Sequence, residues 1–405
     1  MSRVRKILLI SFALVLLSQI PFAYRRYRLR QLSAAIESVN SSRSIENTAE
    51  FVEYKGVVHV HSFLGGHSSG TFQEIISAAQ ANNLNFVVMT EHVESDINTA
   101  QMTLSGMHGG VLFINGNEVK TSTDDRLLSI PGDGNLSTSP APSTSVVVTN
   151  THSRAALSFV AYPTEFKSWN EGFDGIEVYN VFTNSKRINL VLAFFDALWS
   201  QRAYPDLLFA NYLERPSENL KKWDELTTTR KVVAIAGNDS HSNIGLQVHD
   251  GSGKVLVGVQ LDPYTTSFRL VRIHVLVPSR GVSGANAVTS EALIAALRQG
   301  HCFIGFDLLG DTSGFRFEAV NSKGRRIQGD EIPFEPGTQL KVAMPVASRI
   351  LIFRNGEVFL DESGVKLKEV TLTERGSYRV EVNLPQLGKL TSSAPWIISN
   401  PIYVR

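Results

Sequence analysis

Three histidines fall within nine residues in the stretch Gly56-Val-Val-His-Val-His-Ser-Phe-Leu-Gly-Gly-His67. On an extended strand alternate side chains share a face, so His59 and His61 project together while Val58 and Val60 turn the other way. Gly65 and Gly66 then allow the backbone to fold back and bring His67 to the same point. Imidazole is the commonest metal ligand, and converging rings supply much of a coordination shell. With only 10 histidines in 405 residues, such a cluster points to a metal rather than to a chance grouping.

Further donors recur at comparable places. Thr90-Glu91-His92 follows a short apolar run at 85–90, Asn117-Glu118 follows 111–114, and Asn238-Asp239-Ser240-His241 follows 232–236. Each lies just past the C-terminal end of an expected strand, the edge where parallel α/β folds build active sites. His59, His61, His67, His92, Glu118, Asp239 and His241 together offer five imidazoles and two carboxylates. One ion takes about four to six donors, so this inventory supports more than one, with Glu118 available to bridge. Nitrogen and oxygen donors without thiolate suit zinc, manganese or iron better than calcium or magnesium. Two such ions sharing a hydroxide give a nucleophile at neutral pH, and the natural reaction is hydrolysis.

The elements that must position these residues read as an α/β fold. Segment 71–82 carries Phe72, Ile75, Ile76 and Ala79 at helical spacing, with Thr71 as N-cap and Glu74 completing a capping box. Strands are expected at 85–90, 111–114, 158–161, 175–178 and 232–236, and a helix over 189–211 with Leu190, Leu192, Phe194, Phe195 and Leu198 on a broad apolar face. Alternating strands and helices imply a mainly parallel sheet, open or closed into a barrel. The Ser-, Thr- and Pro-rich stretch 122–150 reads as a lid or binding loop, or else as a plain surface excursion. After about Asp311 short strands at 314–319, 340–344, 349–353, 378–382 and 402–404, with an Asn355-Gly356 hairpin signal, suggest a small antiparallel β-sandwich. No histidine follows His301, so this part reads as accessory.

Arg3, Arg5 and Lys6 precede an apolar run from Ile7 to Ala23, and Arg25, Arg26, Arg28 and Arg30 follow it. As a helix that run is about 26 Å long, close to the hydrocarbon thickness of a thin bilayer. No small-x-small cleavage site follows it, so it reads as an uncleaved single-pass membrane anchor, with the globular part expected on the extracytoplasmic side. The expected division is an anchor at 1–30, a polar stalk or short linking helix at 31–50, a metallohydrolase unit at 51–310 and the accessory unit at 311–405. A formal charge of +1 argues against a nucleic-acid groove and leaves a small molecule as the expected substrate. The lone Cys302 excludes an internal disulfide and leaves the redox compartment open.

His59-x-His61, His67, Thr90-Glu91-His92, Gly116-x-Glu118 and Asp239-x-His241 together resemble the motifs of the polymerase and histidinol phosphatase (PHP) superfamily of metal-dependent hydrolases, over residues 54–242. The resemblance implies a distorted seven-stranded β/α barrel, two or three divalent ions and, most often, phosphoester hydrolysis. It implies that His59, His61, Glu118 and Asp239 hold one ion, and His67, His92 and His241 another. The family commonly has Ala-His-Pro where this chain has Ala161-Tyr162-Pro163, which removes a usual ligand. Asp239 and Tyr162 are the expected catalytic residues, Tyr162 as a substrate contact or proton donor, with wall packing as its alternative. His152 is either a replacement ligand or a solvent-exposed histidine, and Glu177 is expected to support the same cavity. The segment from Pro395 to Tyr403 and the helix at 291–300 look like the carbamate-hydrolase branch of the family, in which Trp396 would be a sandwich-core aromatic. Phosphoester cleavage is therefore weighed against carbamate or amide cleavage, and both against a non-catalytic metal-binding surface module. Lys120, Arg126 or Lys167 lining the pocket would favour phosphate.

Overall fold

The structure is a computed structural model and describes residues 3–44, 50–134, 140–185, 189–243, 245–249, 255–260, 262–279, 288–391 and 393–405. It opens with a 39-residue helix α1 (Arg3–Ser41). In its first half the apolar side chains from Val4 to Ile20 are exposed all round, whereas Phe22, Leu29, Leu32, Ile36 and Val39 form one buried stripe against the body. Residues 31–41 of the expected stalk continue this helix, because Leu32, Ile36 and Val39 recur at helical spacing and pack into the core. Residues 45–49 of that stalk lie outside the described residues.

The remaining chain begins with β1 (Phe51–Val60), α2 (Phe72–Ala81), β2 (Phe86–Met89), β3 (Glu91–His92), α3 (Thr99–Met102), β4 (Gly106–His108), β5 (Val111–Ile114) and β6 (Asn117–Lys120). It continues through β7 (Arg126–Ile130), α4 (Thr144–Ser153), β8 (Leu157–Ala161), β9 (Gly175–Asn180), α5 (Val181–Ser185), α6 (Leu190–Ser200), α7 (Ser217–Thr227) and β10 (Val233–Gly237). There follow β11 (Gly245–His249), β12 (Val255–Gln260), α8 (Tyr264–Leu270), β13 (Arg272–Pro278), α9 (Ser290–Gln299) and β14 (Cys302–Gly305). The last strands are β15 (Arg316–Asn321), β16 (Gly324–Ile327), β17 (Glu331–Ile332), β18 (Gln339–Arg354), β19 (Glu357–Thr371), β20 (Gly376–Asn383), β21 (Ile397–Ser399) and β22 (Ile402–Val404).

Parallel pairing links β1 to β2 and β2 to β5, and likewise β3 to β6, β8 to β9 and β9 to β10. Strand β7 lies antiparallel between β6 and β8. The pairings form a circuit: from β1 to β2, across Thr90 to β3, on through β6, β7, β8, β9 and β10, and back to β1 by a parallel bridge between Val60 and Ser240. On its other side β1 pairs with β13, and β13, β14, β21, β20, β18, β15 and β16 continue one mixed sheet. C-terminal strands therefore share a sheet with the strand that carries His59.

Two differences from the sequence reading have plain causes. The stretch 122–150 holds β7 and α4, with residues 135–139 outside the described set. Helix α4 is poor in helix formers, but Ser143 caps it and Val147 and Val148 are buried beneath it. The helix expected over 189–211 stops at Ser200, and Pro205 opens a 3-10 turn over Asp206–Tyr212 instead. Other expectations hold in detail: Thr71 and Glu74 form the capping box of α2, and Asn355 and Gly356 both take positive φ in the β18–β19 hairpin.

The last residues close the edge of β10. The Ala234 amide donates to Asn400 Oδ1 at 2.8 Å, while Asn400 Nδ2 donates to the carbonyls of Ala234 and Cys302, each at 3.0 Å. Three residues later, in β22, Tyr403 Oη accepts from the Val232 amide at 3.1 Å. Trp396 is buried and donates to the Gly310 carbonyl at 2.7 Å, as a core aromatic should.

Candidate metal centre

The strand ends gather the expected donors. His59, His61, Glu118 and Asp239 are buried and offer ligand atoms that all lie within 4.8 Å of one another; His61, His92 and His241 form a second such group. His61 belongs to both. Its ring stacks against those of His241 and His92, with centroids 4.3 and 4.7 Å away. Glu118 Oε2 sits 3.2 Å from His59 Nε2, 3.4 Å from His61 Nε2 and 3.6 Å from His92 Nδ1. Asp239 Oδ1 lies 3.5 Å from both His59 Nε2 and His61 Nε2.

Simple alternation does not produce this convergence. His59 adopts φ +67°, and the pairing of β1 with β2 slips between Val58 and Val60, so a bulge re-aims the side chain. Tyr162 and Asp239 are also left-handed, at φ +50° and +49°. Such conformations cost about 1–3 kcal/mol each for residues with a Cβ, and the surrounding contacts must hold them in place.

Those contacts fix how each donor is presented. Glu177 Oε1 accepts from His59 Nδ1 at 2.6 Å, which leaves His59 Nε2 facing the cluster. Asn180 Nδ2 bridges Glu177 Oε2 and Asp239 Oδ2 at 2.9 and 3.2 Å. His241 Nδ1 donates to the Asp239 carbonyl at 2.9 Å, which likewise leaves its Nε2 as the lone-pair nitrogen. Gly237 makes room for the Glu177 carboxylate, since a Cβ there would lie 1.4 Å from Oε1. Glu91 faces the other way, accepting from the Ser62 amide and the Thr103 hydroxyl, and so braces the turn after β1.

Burial and charge act in opposite directions across the cluster. Burial disfavours charge on His59, but Glu177, Asp239 and Glu118 outweigh it and raise its pKa well above the usual imidazole range. Burial dominates at His61 and His92, lowering them to about 4 and about 3, so both rings are neutral and offer lone pairs at pH 7. Burial opposes ionisation of Glu118, yet the hydrogen bond and charge of His59, with His61 and His92, bring it down to about 2. Asp239 is held well below the usual carboxylate range in the same way, while burial raises Glu177.

The donor set fits divalent cations on one further observation. Both ring nitrogens of His61, and Asp239 Oδ1, are buried without a hydrogen-bond partner. Buried polar atoms are otherwise nearly always satisfied, and here His61 Nε2 faces the carboxylate oxygens Glu118 Oε2 at 3.4 Å and Asp239 Oδ1 at 3.5 Å. A cation between them would satisfy a lone pair on His61 Nε2 and Asp239 Oδ1 together.

The other candidates fall at graded distances. His67 is exposed and belongs to neither donor group, although its ring centroid lies 5.0 Å from that of His92. Tyr162 Oη donates to Asp239 Oδ2 at 2.6 Å, and burial with the surrounding carboxylates pushes its pKa far up, so it is a neutral phenol rather than a phenolate ligand. It borders a cavity of about 250 Å³ also lined by Asn180, Thr183, Arg215 and Asn219. His152 lies outside the cluster and pairs with Asp174 at 2.8 Å. Of the three cations, Arg126 reaches the centre, donating to Glu118 Oε1 at 2.9 Å; Lys120 pairs with Asp124 and Lys167 Nζ donates to the Thr123 carbonyl.

No family model matches the chain, and no curated protein matches it. Solved structures are similar at low identity, among them these two. One is a two-domain protein containing a predicted PHP-like metal-dependent phosphoesterase from Bacteroides vulgatus ATCC 8482, 14% identical, covering 89% of this chain and 97% of that one, with a TM-score of 0.40. The other is PsfC from Pseudomonas syringae PB-5123, 13% identical, covering 61% of this chain and 89% of that one, with a TM-score of 0.34.

Proposed function

We propose that the chain is a membrane-tethered, metal-dependent hydrolase of the PHP type that cleaves phosphoesters. The observation that carries this reading is the pair of overlapping donor groups sharing His61, with buried atoms on His61 and Asp239 that a cation would satisfy. The circuit of strand pairings around the cluster and the ordered motifs that resemble the superfamily support it. His59, His61, Glu118 and Asp239 would hold one ion, and His92 and His241, with His61 or His67, a second. Zinc, manganese and iron suit this mixed nitrogen and oxygen set. Bound cations would supply Lewis acidity and lower the pKa of a water toward neutrality.

The chain's own residues do the rest. Glu177 and the Asp239 carbonyl hold His59 and His241 in the orientation that presents a lone pair to the centre. Tyr162 keeps its proton at Oη, beside Asp239 and on the wall of the adjoining cavity, and serves as donor to a leaving oxygen. Arg126, one third exposed beside Glu118, supplies the cationic hydrogen-bonding surface that an anionic ester needs.

A second reading keeps the centre and makes the target a carbamate or amide carbonyl. It is favoured by Arg126 being already neutralised by Glu118, which suits an uncharged substrate. A screen of nitrophenyl phosphate esters against aryl carbamates, run with metal analysis, separates the two. Replacing His59 and His61 together by Ala should remove metal and activity at once; unaltered metal content in that double variant overturns the assignment.

The anchor reading rests on α1, which among the described residues is the one helix long and apolar enough to cross a membrane.

A further inference from the structure

Helix α6 presents three faces, and one of them has no partner among the described residues. Ala197 and Ser200 are buried against the body. Phe195, Asp196 and Trp199 face α1: Phe22 and Phe195 lie 5.1 Å apart, Arg25 pairs with Asp196 at 2.7 Å, and Trp199 Nε1 donates to Gln19 Oε1 at 3.0 Å. Arg26 adds a hydrogen bond to the Trp199 carbonyl. The third face carries Phe194 and Leu198, one turn apart and 38% and 67% exposed, with Leu192 41% exposed near the start of the helix. A helix lying on a soluble protein places charged residues on that outer face. Here the one charge between Leu190 and Trp199 is Asp196, already neutralised by Arg25.

The level at which α6 meets α1 identifies what covers the third face. Every contact named above falls between Gln19 and Arg26, where α1 changes from exposed and apolar all round to a single stripe docked on the body. Arg25, Arg26, Arg28 and Arg30 follow there, the belt expected at phospholipid headgroups, and Trp199 sits beside them as interfacial tryptophans do.

We propose that α6 is a second membrane contact, lying in the interfacial layer of the bilayer beside α1 with Phe194 and Leu198 turned toward the acyl chains. This rests on the reading of α1 as an anchor. An amphipathic helix of this kind buries its apolar face roughly 5–10 Å into the headgroup boundary. Phe182 of α5, whose ring lies 5.5 Å from that of His241, precedes Leu190 by eight residues, a reach of at most about 29 Å. The centre is thereby held close to the membrane surface and serves substrates found there.

Labelling introduced cysteines tests this in the full chain, because the native Cys302 is buried. Leu14→Cys, Leu198→Cys and Leu367→Cys would each be tagged with an environment-sensitive fluorophore and reconstituted in phosphatidylcholine–phosphatidylglycerol vesicles, then exposed to iodide or to nitroxide-bearing lipids. The label at 198 should lose its access to iodide and be quenched by shallow nitroxides, the one at 14 by deep nitroxides, and the one at 367 by iodide alone. A label at 198 that behaves like that at 367 overturns the inference while leaving the anchor standing, and shielding from both quenchers overturns it in favour of a protein contact. Iodide access at 14 removes the anchor reading and this inference with it.

Discussion

Gly237→Ala should weaken the metal centre although residue 237 offers no ligand. The added Cβ would stand 1.4 Å from Glu177 Oε1 and 2.4 Å from its Cδ, so the carboxylate must retreat by about 2 Å to reach van der Waals separation. Its hydrogen bond to His59 Nδ1, now 2.6 Å, cannot survive that displacement. A hydrogen bond to a charged group contributes about 1.5–3 kcal/mol, which corresponds to a roughly 10- to 150-fold loss of metal affinity if His59 swings away from the centre. Ala is otherwise the easier residue to order in a strand, by about 0.5–1 kcal/mol, so general destabilisation is not the expected cause. Affinity would be read by competition with a chromophoric chelator, in the native background and in Glu177→Ala. The substitution should cost affinity in the first and little in the second; an equal cost in both backgrounds refutes the reasoning.

Three other outcomes are expected. Tyr162→Phe should keep its metal but lose on the order of 10²-fold in kcat, with the loss larger for alkyl than for nitrophenyl leaving groups; an equal loss for both removes the proton-donor role. Arg126→Ala should lower kcat/KM about 10- to 100-fold for phosphate esters and leave aryl carbamates unaffected, so parallel losses in steady-state assays would count against a phosphate contact. At the opposite end of β1, the buried His274 touches Glu53 at 2.8 Å and Asp307 at 3.3 Å, with Thr312, Arg272, Arg316 and Lys55 around those acids. Burial disfavours its charge, but Asp307 and Glu53 prevail and raise its pKa from 6.5 to about 9. Because the folded pKa is the higher one, this stabilisation is complete below about pH 6.5 and is lost as pH rises through 9, roughly 3 kcal/mol in all. Thermal unfolding from pH 6 to 10 should show that decline in the native chain and a flatter profile in His274→Gln; identical profiles would exclude it.

The parts of the site that sequence makes legible are those carried by residue type at strand ends. His59, His61, His92, Glu118, Asp239 and His241 announce themselves because short apolar runs each stop at a donor, and the structure gathers those six. Backbone state is less visible. Nothing in the sequence marks His59, Tyr162 or Asp239 as left-handed, since tertiary contacts impose that conformation on residues that do not prefer it. Arg126 looks no different from Lys120 or Lys167 until β7 is recognised as a strand, and Asp124 and Asp125 before it with Pro131 after it disguise a five-residue run as loop. Strand β18 reads as two strands because Pro345 interrupts it; the structure carries it through as one, with slips in its pairing to β19 between Ala343 and Ser348. The expected role of Glu177 is the counterexample: an acid inside the apolar run Gly-Ile-Glu-Val-Tyr-Asn is a buried carboxylate awaiting a partner, and His59 is that partner.

The clamp of Asn400 on β10 also sets a schedule. A nascent polypeptide leaves the ribosome N-terminus first, so α1 emerges while the strand leading to Asp239 still lacks its outer neighbour. About 160 further residues must be translated before that neighbour exists, roughly ten to thirty seconds at ~5–20 residues per second. A nonsense codon ahead of Asn400 would thus leave the edge of β10 unclamped, the Ala234 amide and carbonyl without the side chain that now holds them.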